Sequence, residues 1–288
     1  MLLPLALTRA AWPAAALTAF AAVAGERLID AQQRKWIFRP PRRNRWSQAR
    51  ALRRLSDMQE VWIDFDSRVT GRTARLHGLW HPHADPLAPR LLYLHGAQND
   101  VAFSTERLRR LQRLGFSVLA IDYRGFGKSG SELPSEASAY EDARAAWDWL
   151  AAQQPPAARY IFGHSLGGAI AIHLAAEVDD AAGLIIESSF TSLPDVVASF
   201  SQGWSAVRRF ITQRFDAAQK IATVRAPVLV VHGDRDLLIP HTLGRALYDA
   251  AVSSKRFVLV PGGSHHDTHA LGETSLRQAL RELFGLPA

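Results

Sequence analysis

The 288-residue chain has no cysteine, which excludes thiol nucleophiles, cysteine-ligated metals and disulfide staples. No Gly-x-Gly-x-x-Gly follows the first predicted strand, so dinucleotide binding has no footing. Eleven histidines are present, yet none pairs as His-x-x-x-His on a predicted helix or joins a carboxylate at ligand spacing. His81 and His83 stand two apart in a predicted loop and carry no metal signal. Neither a metal nor a cofactor is expected. The longest uncharged run, Ala10 to Gly25, is sixteen residues and apolar but for Thr18. That is short of the ~20 that cross a bilayer and long for the core of a signal peptide.

Acids are missing where cations are dense. Between Ala31 and Ser56 lie Arg34, Lys35, Arg39, Arg42, Arg43, Arg45, Arg50, Arg53 and Arg54, and no carboxylate. Those nine exceed the whole net charge of +7, leaving −2 for the remainder. The basicity belongs to one segment and not to the folded body, so nucleic acid is not an expected partner. Residues 1–25 carry one charge, Arg9, and Ala22-Val23-Ala24 matches a small-residue cleavage site. Three readings stay open: an anchor that is retained, an export signal that is removed, or a plain buried or interfacial helix. The cations after the run favour an anchor with the downstream domain on the cytoplasmic side, their charges against anionic lipid at about 1 kcal/mol each. The expected organisation is an apolar segment at 1–25, a basic juxtamembrane segment at 26–56 and one domain over 57–288.

From Glu60 onward the pattern alternates between strand and helix. Glu60–Phe65 and Thr73–Trp80 predict two strands joined by a turn at Arg68–Gly71. Leu91–Leu94, Val118–Ile121, Tyr160–Phe162, Leu184–Ile186, Val228–Val231 and Phe257–Val260 are short runs rich in Val, Ile and Leu, as strands buried on both faces are. Thr105–Leu114, Tyr140–Ala151, Gly167–Ala176, Leu243–Ala251 and Ser275–Leu283 predict helices between them. Arg107, Arg109, Arg110 and Arg113 fall on the first of these and read as its solvated face. The alternation predicts an α/β fold: a mostly parallel sheet of about eight strands, helices on both faces. Residues 190–226 break the rhythm and predict a short helical cap over the strand ends. Trp204 in that cap would either pack on the body or line an apolar path.

Gly163-His164-Ser165-Leu166-Gly167 is a G-x-S-x-G sequence. Tyr160-Ile161-Phe162 precedes it as a strand and Gly168-Ala169-Ile170-Ala171 follows as a helix, the setting of a nucleophile elbow. A serine hydroxyl needs a positioned base, usually histidine held in one tautomer by a carboxylate. In this arrangement the chain order is serine, acid, histidine. His232-Gly233-Asp234-Arg235-Asp236 after one strand and Pro261-Gly262-Gly263-Ser264-His265-His266-Asp267 after the next supply both in order. At this level Asp234 and Asp236 compete for the acid, and His265, His266 and His269 for the base. His164 points away from the nucleophile by the geometry of the turn and reads as structural.

Further motifs keep the same order. Asp122-Tyr123-Arg124-Gly125-Phe126-Gly127-Lys128-Ser129-Gly130 follows the fourth strand, with Pro134-Ser135-Glu136 and Asp142-Ala143 beyond it. Glu187-Ser188-Ser189-Phe190-Thr191-Ser192 follows the sixth, and Ala226-Pro227-Val228-Leu229 opens the seventh. Together these resemble the α/β-hydrolase superfamily, in particular its membrane-anchored, short-capped branch near monoacylglycerol-lipase-like and lysophospholipase-like enzymes, over about residues 60–284. The resemblance implies the α/β-hydrolase fold and a serine hydrolase with Ser165 as nucleophile, Asp236 as acid and His265 as base. His266 stands where the family pattern has asparagine. It also implies an oxyanion hole from the Leu166 N–H and, through His95-Gly96-Ala97-Gln98-Asn99, the Ala97 N–H. The expected substrate is a carboxylic ester or thioester with an apolar acyl chain, lysophospholipid or monoacylglycerol first. A serine peptidase or amidase on the same triad, and a catalytically idle membrane-tethered scaffold, are the alternatives.

Overall fold

The computed structural model describes residues 25–39, 57–98, 100–200 and 208–287. The predicted apolar run before residue 25, most of the basic segment, Asn99 and Trp204 lie outside the described residues. Eight strands form one sheet: β1 (Gln59–Ser67), β2 (Arg72–His81), β3 (Arg90–Leu94), β4 (Ser117–Ile121), β5 (Arg159–His164), β6 (Ala181–Glu187), β7 (Val228–Gly233) and β8 (Lys255–Val260). Their order is β1-β2-β4-β3-β5-β6-β7-β8. The β1–β2 and β2–β4 pairs are antiparallel and β3 to β8 run parallel.

The helices in chain order are α1 over 25–37, α2 (Thr105–Arg113), α3 (Glu136–Ala151), α4 (Leu166–Glu177), α5 (Leu193–Phe200), α6 (Ala217–Ile221), α7 (His241–Ala250), α8 (Thr268–Leu271) and α9 (Glu273–Phe284). Helix α3 begins a turn earlier than its apolar pattern predicts. There Ser135 and Ser138 cap each other's backbone N–H, a reciprocal N-terminal box.

Alternation along the strands builds two cores. Leu92, Leu94, Leu119, Ile121, Ile161, Leu184, Ile186, Val228 and Val230 face one layer, where α3, α4 and α6 pack. Leu91, Tyr93, Val118, Ala120, Tyr160, Phe162, Ile185, Leu229 and Val231 face the other, with α2 and α9. Side chains buried this way contribute about 1.5–3 kcal/mol each and make the sheet a rigid platform. The loops after β3, β5, β7 and β8 leave from the same carboxyl edge, where ligands bind in open α/β sheets.

In its described parts the cap is less helical than predicted. It holds α5, a single 3₁₀ turn at 208–210, non-helical backbone over 211–216 and the five-residue α6. Phe215 in that stretch has φ 48°, which a continuous helix does not accommodate. The chain before the domain is also built into it. Phe38, just beyond α1, is 1% exposed and belongs to the first core.

Candidate active site

The elbow is visible in the backbone. Ser165 links β5 to α4 at φ 55°, ψ −122°, a strained conformation for a residue with a side chain. Its surroundings impose it. The Ser165 N–H donates to the Glu187 carbonyl at 2.9 Å, and its own carbonyl accepts from the Gly168 N–H at 2.9 Å and the Ser189 hydroxyl at 2.8 Å. The flanking glycines follow from crowding: a Cβ on Gly163 would fall on the Gly167 carbonyl, and one on Gly167 on the Leu94 carbonyl.

Two loops bring imidazole and carboxylate to this serine. His265 Nε2 lies 3.0 Å from Ser165 Oγ, and its Nδ1 lies 2.8 Å from Asp236 Oδ2. With the ring proton on Nδ1, His265 donates to the carboxylate and leaves Nε2 as an acceptor for the serine O–H. Asp236 is buried, and Oδ1 takes the N–H groups of Leu238 at 3.0 Å and Ile239 at 2.7 Å. Burial alone would raise its pKa. Hydrogen bonds from His232 and His265 and the Ile239 N–H outweigh that and hold the carboxyl well below its ordinary value.

The competing residues are elsewhere. Asp234 is exposed, and its Oδ1 accepts the Gly262 N–H at 2.7 Å, which ties the β7 turn to the β8 turn. His266 is exposed beside His265. His269 accepts from Arg107 Nη2 at 3.0 Å through Nδ1; burial, then the Arg107 charge, lowers it to about 4.

For the oxyanion donors, Leu166 is the first residue of α4, where backbone N–H groups have no intrahelical partner. His95, Gly96 and Ala97 follow β3, and Gly96 packs against the Ser165 side chain. His95 is buried between the rings of Tyr123 and Phe126, at centroid distances of 4.5 and 5.1 Å.

A family model described as serine aminopeptidase, S33, matches residues 86–218, which span the β3 loop and the elbow. An uncharacterized protein of Mycobacterium tuberculosis is 40% identical over 210 residues, 72% of this chain and 74% of that protein. The lysophosphatidylserine lipase ABHD12 of Danio rerio is 32% identical over 187 residues, 58% of this chain; the match spans 48% of that lipase's length. The esterase Pf2001 of Pyrococcus furiosus superposes with a TM-score of 0.65 at 18% identity, over 86% of this chain and all of that one.

The chain belongs to the α/β-hydrolase superfamily. It is an enzyme of that fold.

Within this α/β-hydrolase, two residues beside the candidate triad support its backbone. His164 donates from Nε2 to the His265 carbonyl at 3.0 Å, so it holds the main chain of the candidate base. Burial, with the Arg107 and His265 charges behind it, holds its pKa well below the usual imidazole range, so it stays neutral. The second corrects an expectation. Arg107 does not face solvent; it is 8% exposed and pairs with Glu187, which is 1% exposed. The pair lies beneath the elbow, where Glu187 also holds the Ser165 N–H through its carbonyl. An apolar residue at position 107 would have signalled a buried helix face there; an arginine does not.

Proposed function

We propose that this protein hydrolyses carboxylic esters through an acyl-enzyme on Ser165, with His265 as general base and Asp236 as the carboxylate that orients it. The observation that carries the reading is the pair of contacts on one imidazole, 3.0 Å to the serine hydroxyl and 2.8 Å to the carboxylate. Ser165 Oγ adds to the ester carbonyl as His265 Nε2 takes its proton. The resulting oxyanion accepts hydrogen bonds from the Ala97 and Leu166 N–H groups, donors of a kind worth about 10²–10³ in kcat each. His265 then protonates the departing alcohol. Water, activated by the same nitrogen, releases the acid and regenerates the serine.

An apolar acyl chain is the favoured substrate, with a lysophospholipid or monoacylglycerol as the first class to try. The activity of a relative supports this: the Danio rerio protein is a lysophosphatidylserine lipase. The matching family model is described by an aminopeptidase, so amide cleavage on the same triad is the second reading. Purified protein assayed against p-nitrophenyl esters of graded chain length, a lysophospholipid and aminoacyl amides separates the two. The ester reading expects the highest kcat/KM on a long-chain ester; faster cleavage of an amide overturns it.

The apolar run and the cations after it serve, in this reading, as an anchor with the catalytic domain on the cytoplasmic side. Among the described residues no helix is long and apolar enough to cross a membrane. A full-length protein in the membrane fraction is the expected result, and a mature chain starting at Gly25 would replace the anchor with an export signal.

A further inference from the structure

We propose that residues 30–39, which precede the catalytic domain, form a strap that positions the oxyanion loop of the active site. The inference rests on the serine-hydrolase reading above and concerns how the Ala97 N–H is aimed.

Three consecutive carbonyls of that loop are each held. The His95 carbonyl accepts from the Tyr123 hydroxyl at 3.0 Å, and the Gly96 carbonyl lies 2.7 Å from His95 Nδ1. The Ala97 carbonyl accepts the Arg39 N–H at 2.8 Å. The candidate donor, the Ala97 N–H, shares its peptide with the second of these carbonyls, and the first and third belong to the peptides on either side. The hold on its own carbonyl orients that peptide plane, and the holds on the two neighbouring peptides set where the plane lies. The first two holds come from within the catalytic body. The third comes from the strap.

The strap is itself fastened at several points. Arg34 donates to the Leu133 carbonyl and, at 2.7 Å, to that of Pro134. Gln33 donates to the Phe210 carbonyl at 2.7 Å and accepts the Thr212 N–H at 2.9 Å. Asp30 accepts from Thr212 and Gln213, each at 2.7 Å. Phe38 then wedges between Phe126, whose ring also packs on His95, and Phe215 of the cap, with centroids 6.3 and 6.1 Å away. One short segment joins the cap, the loop after β4 and the oxyanion loop. Chain leaving the apolar N-terminal run reaches the catalytic donor through it, and whatever moves the strap moves that donor.

The direct test removes one hydrogen. In the full-length protein, Arg39→Pro deletes the N–H, whereas Arg39→Ala keeps it and removes the side chain alone. Turnover is expressed per active site titrated with a fluorophosphonate, so misfolded protein is not counted. The expected result is a kcat about 10- to 100-fold lower for Arg39→Pro than for Arg39→Ala, below the full loss of one oxyanion donor. KM should differ less than about threefold, because a transition-state contact is lost and not uniform binding. Affinity for a trifluoromethyl ketone of the same acyl chain should fall with kcat, which a purely structural role would not produce. Equal kcat per titrated site in the two variants overturns the strap. Should Arg39→Pro not fold, Phe38→Leu, which keeps the wedge apolar but removes the ring, should lower kcat per site in the same direction; an unchanged value there overturns the proposal equally. Ester turnover surviving in Ser165→Ala would instead remove the hydrolase reading on which the strap depends.

Discussion

The two sides of Ser165 are held by different kinds of contact. On the base side, Asp236, His232, His164 and Glu187 sit on or just beyond β5, β6 and β7, adjacent strands of one sheet. Their partners, His265, Ile239 and Ser165, lie at the carboxyl ends of those strands and of β8. On the oxyanion side, the last carbonyl depends on an N–H 58 positions earlier, from backbone outside regular structure. Catalytic geometry set by a sheet is rigid by construction. Geometry set by a strap is conditional on whatever the strap is fastened to.

Damage on the base side should therefore be severe and local. Ser165→Ala is expected to lower kcat by about 10⁴ or more while leaving thermal unfolding nearly unchanged, since a triad acts as a unit. His265→Ala should match it, whereas His266→Ala should fall within about threefold of wild type. The reverse ranking in an ester assay would move the base by one residue. Next in size is a stability effect. Glu187→Gln leaves the Arg107 charge buried without its partner, which costs about 3–5 kcal/mol in urea unfolding. Arg107→Met removes the other half of that pair and leaves Glu187 charged, so it too should destabilise. The double change should cost less than the sum of the singles, and simple additivity would contradict the pairing. A smaller effect is expected at His164. Replacing it with leucine frees the His265 carbonyl and should cost about 10-fold in kcat, below the roughly 100-fold that a 1 Å misplacement brings.

The smallest effect is a pH dependence. Burial holds His269 at about 4 and, with Lys220 nearby, His173 at about 4 as well. Both folded values lie below the ~6.5 of an exposed imidazole. Above that pH neither state binds the proton and the stability is fully present. As pH falls from 6.5 toward 4, the unfolded chain takes up protons that the folded chain refuses. Stability is then lost at up to about 1.4 kcal/mol per pH unit for each group. Urea titrations at pH 7, 6 and 5 should show this slope, and His269→Gln should reduce it by one proton; an unchanged slope would remove His269 from the account.

The same division explains what the sequence discloses. Short apolar strands rich in Val, Ile and Leu, most of them followed by a turn that contains glycine, are local signals, and β3 to β8 lie where those signals fall. Ser165, Asp236 and His265 sit beyond strand ends, so order and spacing narrow the acid to Asp234 or Asp236 and the base to His265, His266 or His269, and the family resemblance selects among them. The strap has no such signal. Trp36, Ile37 and Phe38 are three apolar residues between Arg34-Lys35 and Arg39, which is the pattern of a basic linker; only the tertiary fold shows that Phe38 enters the core. Arg107 is obscure for the converse reason, because a helical arginine is ordinarily solvated and its burial depends on Glu187, 80 positions later. The cap is overread as helix because its apolar spacing fits one, while Phe215 takes a positive φ. That residue is held by the Glu136 carboxylate on its N–H at 2.9 Å.

The central claim is that Ser165 becomes acylated. Wild-type protein incubated with a long-chain fluorophosphonate and examined by peptide mass spectrometry should carry a single adduct on the peptide containing Ser165. The Ser165→Ala protein should carry none and should hydrolyse no ester. An adduct on another residue, or ester turnover in a protein whose Ser165 peptide stays unlabelled, would contradict the account.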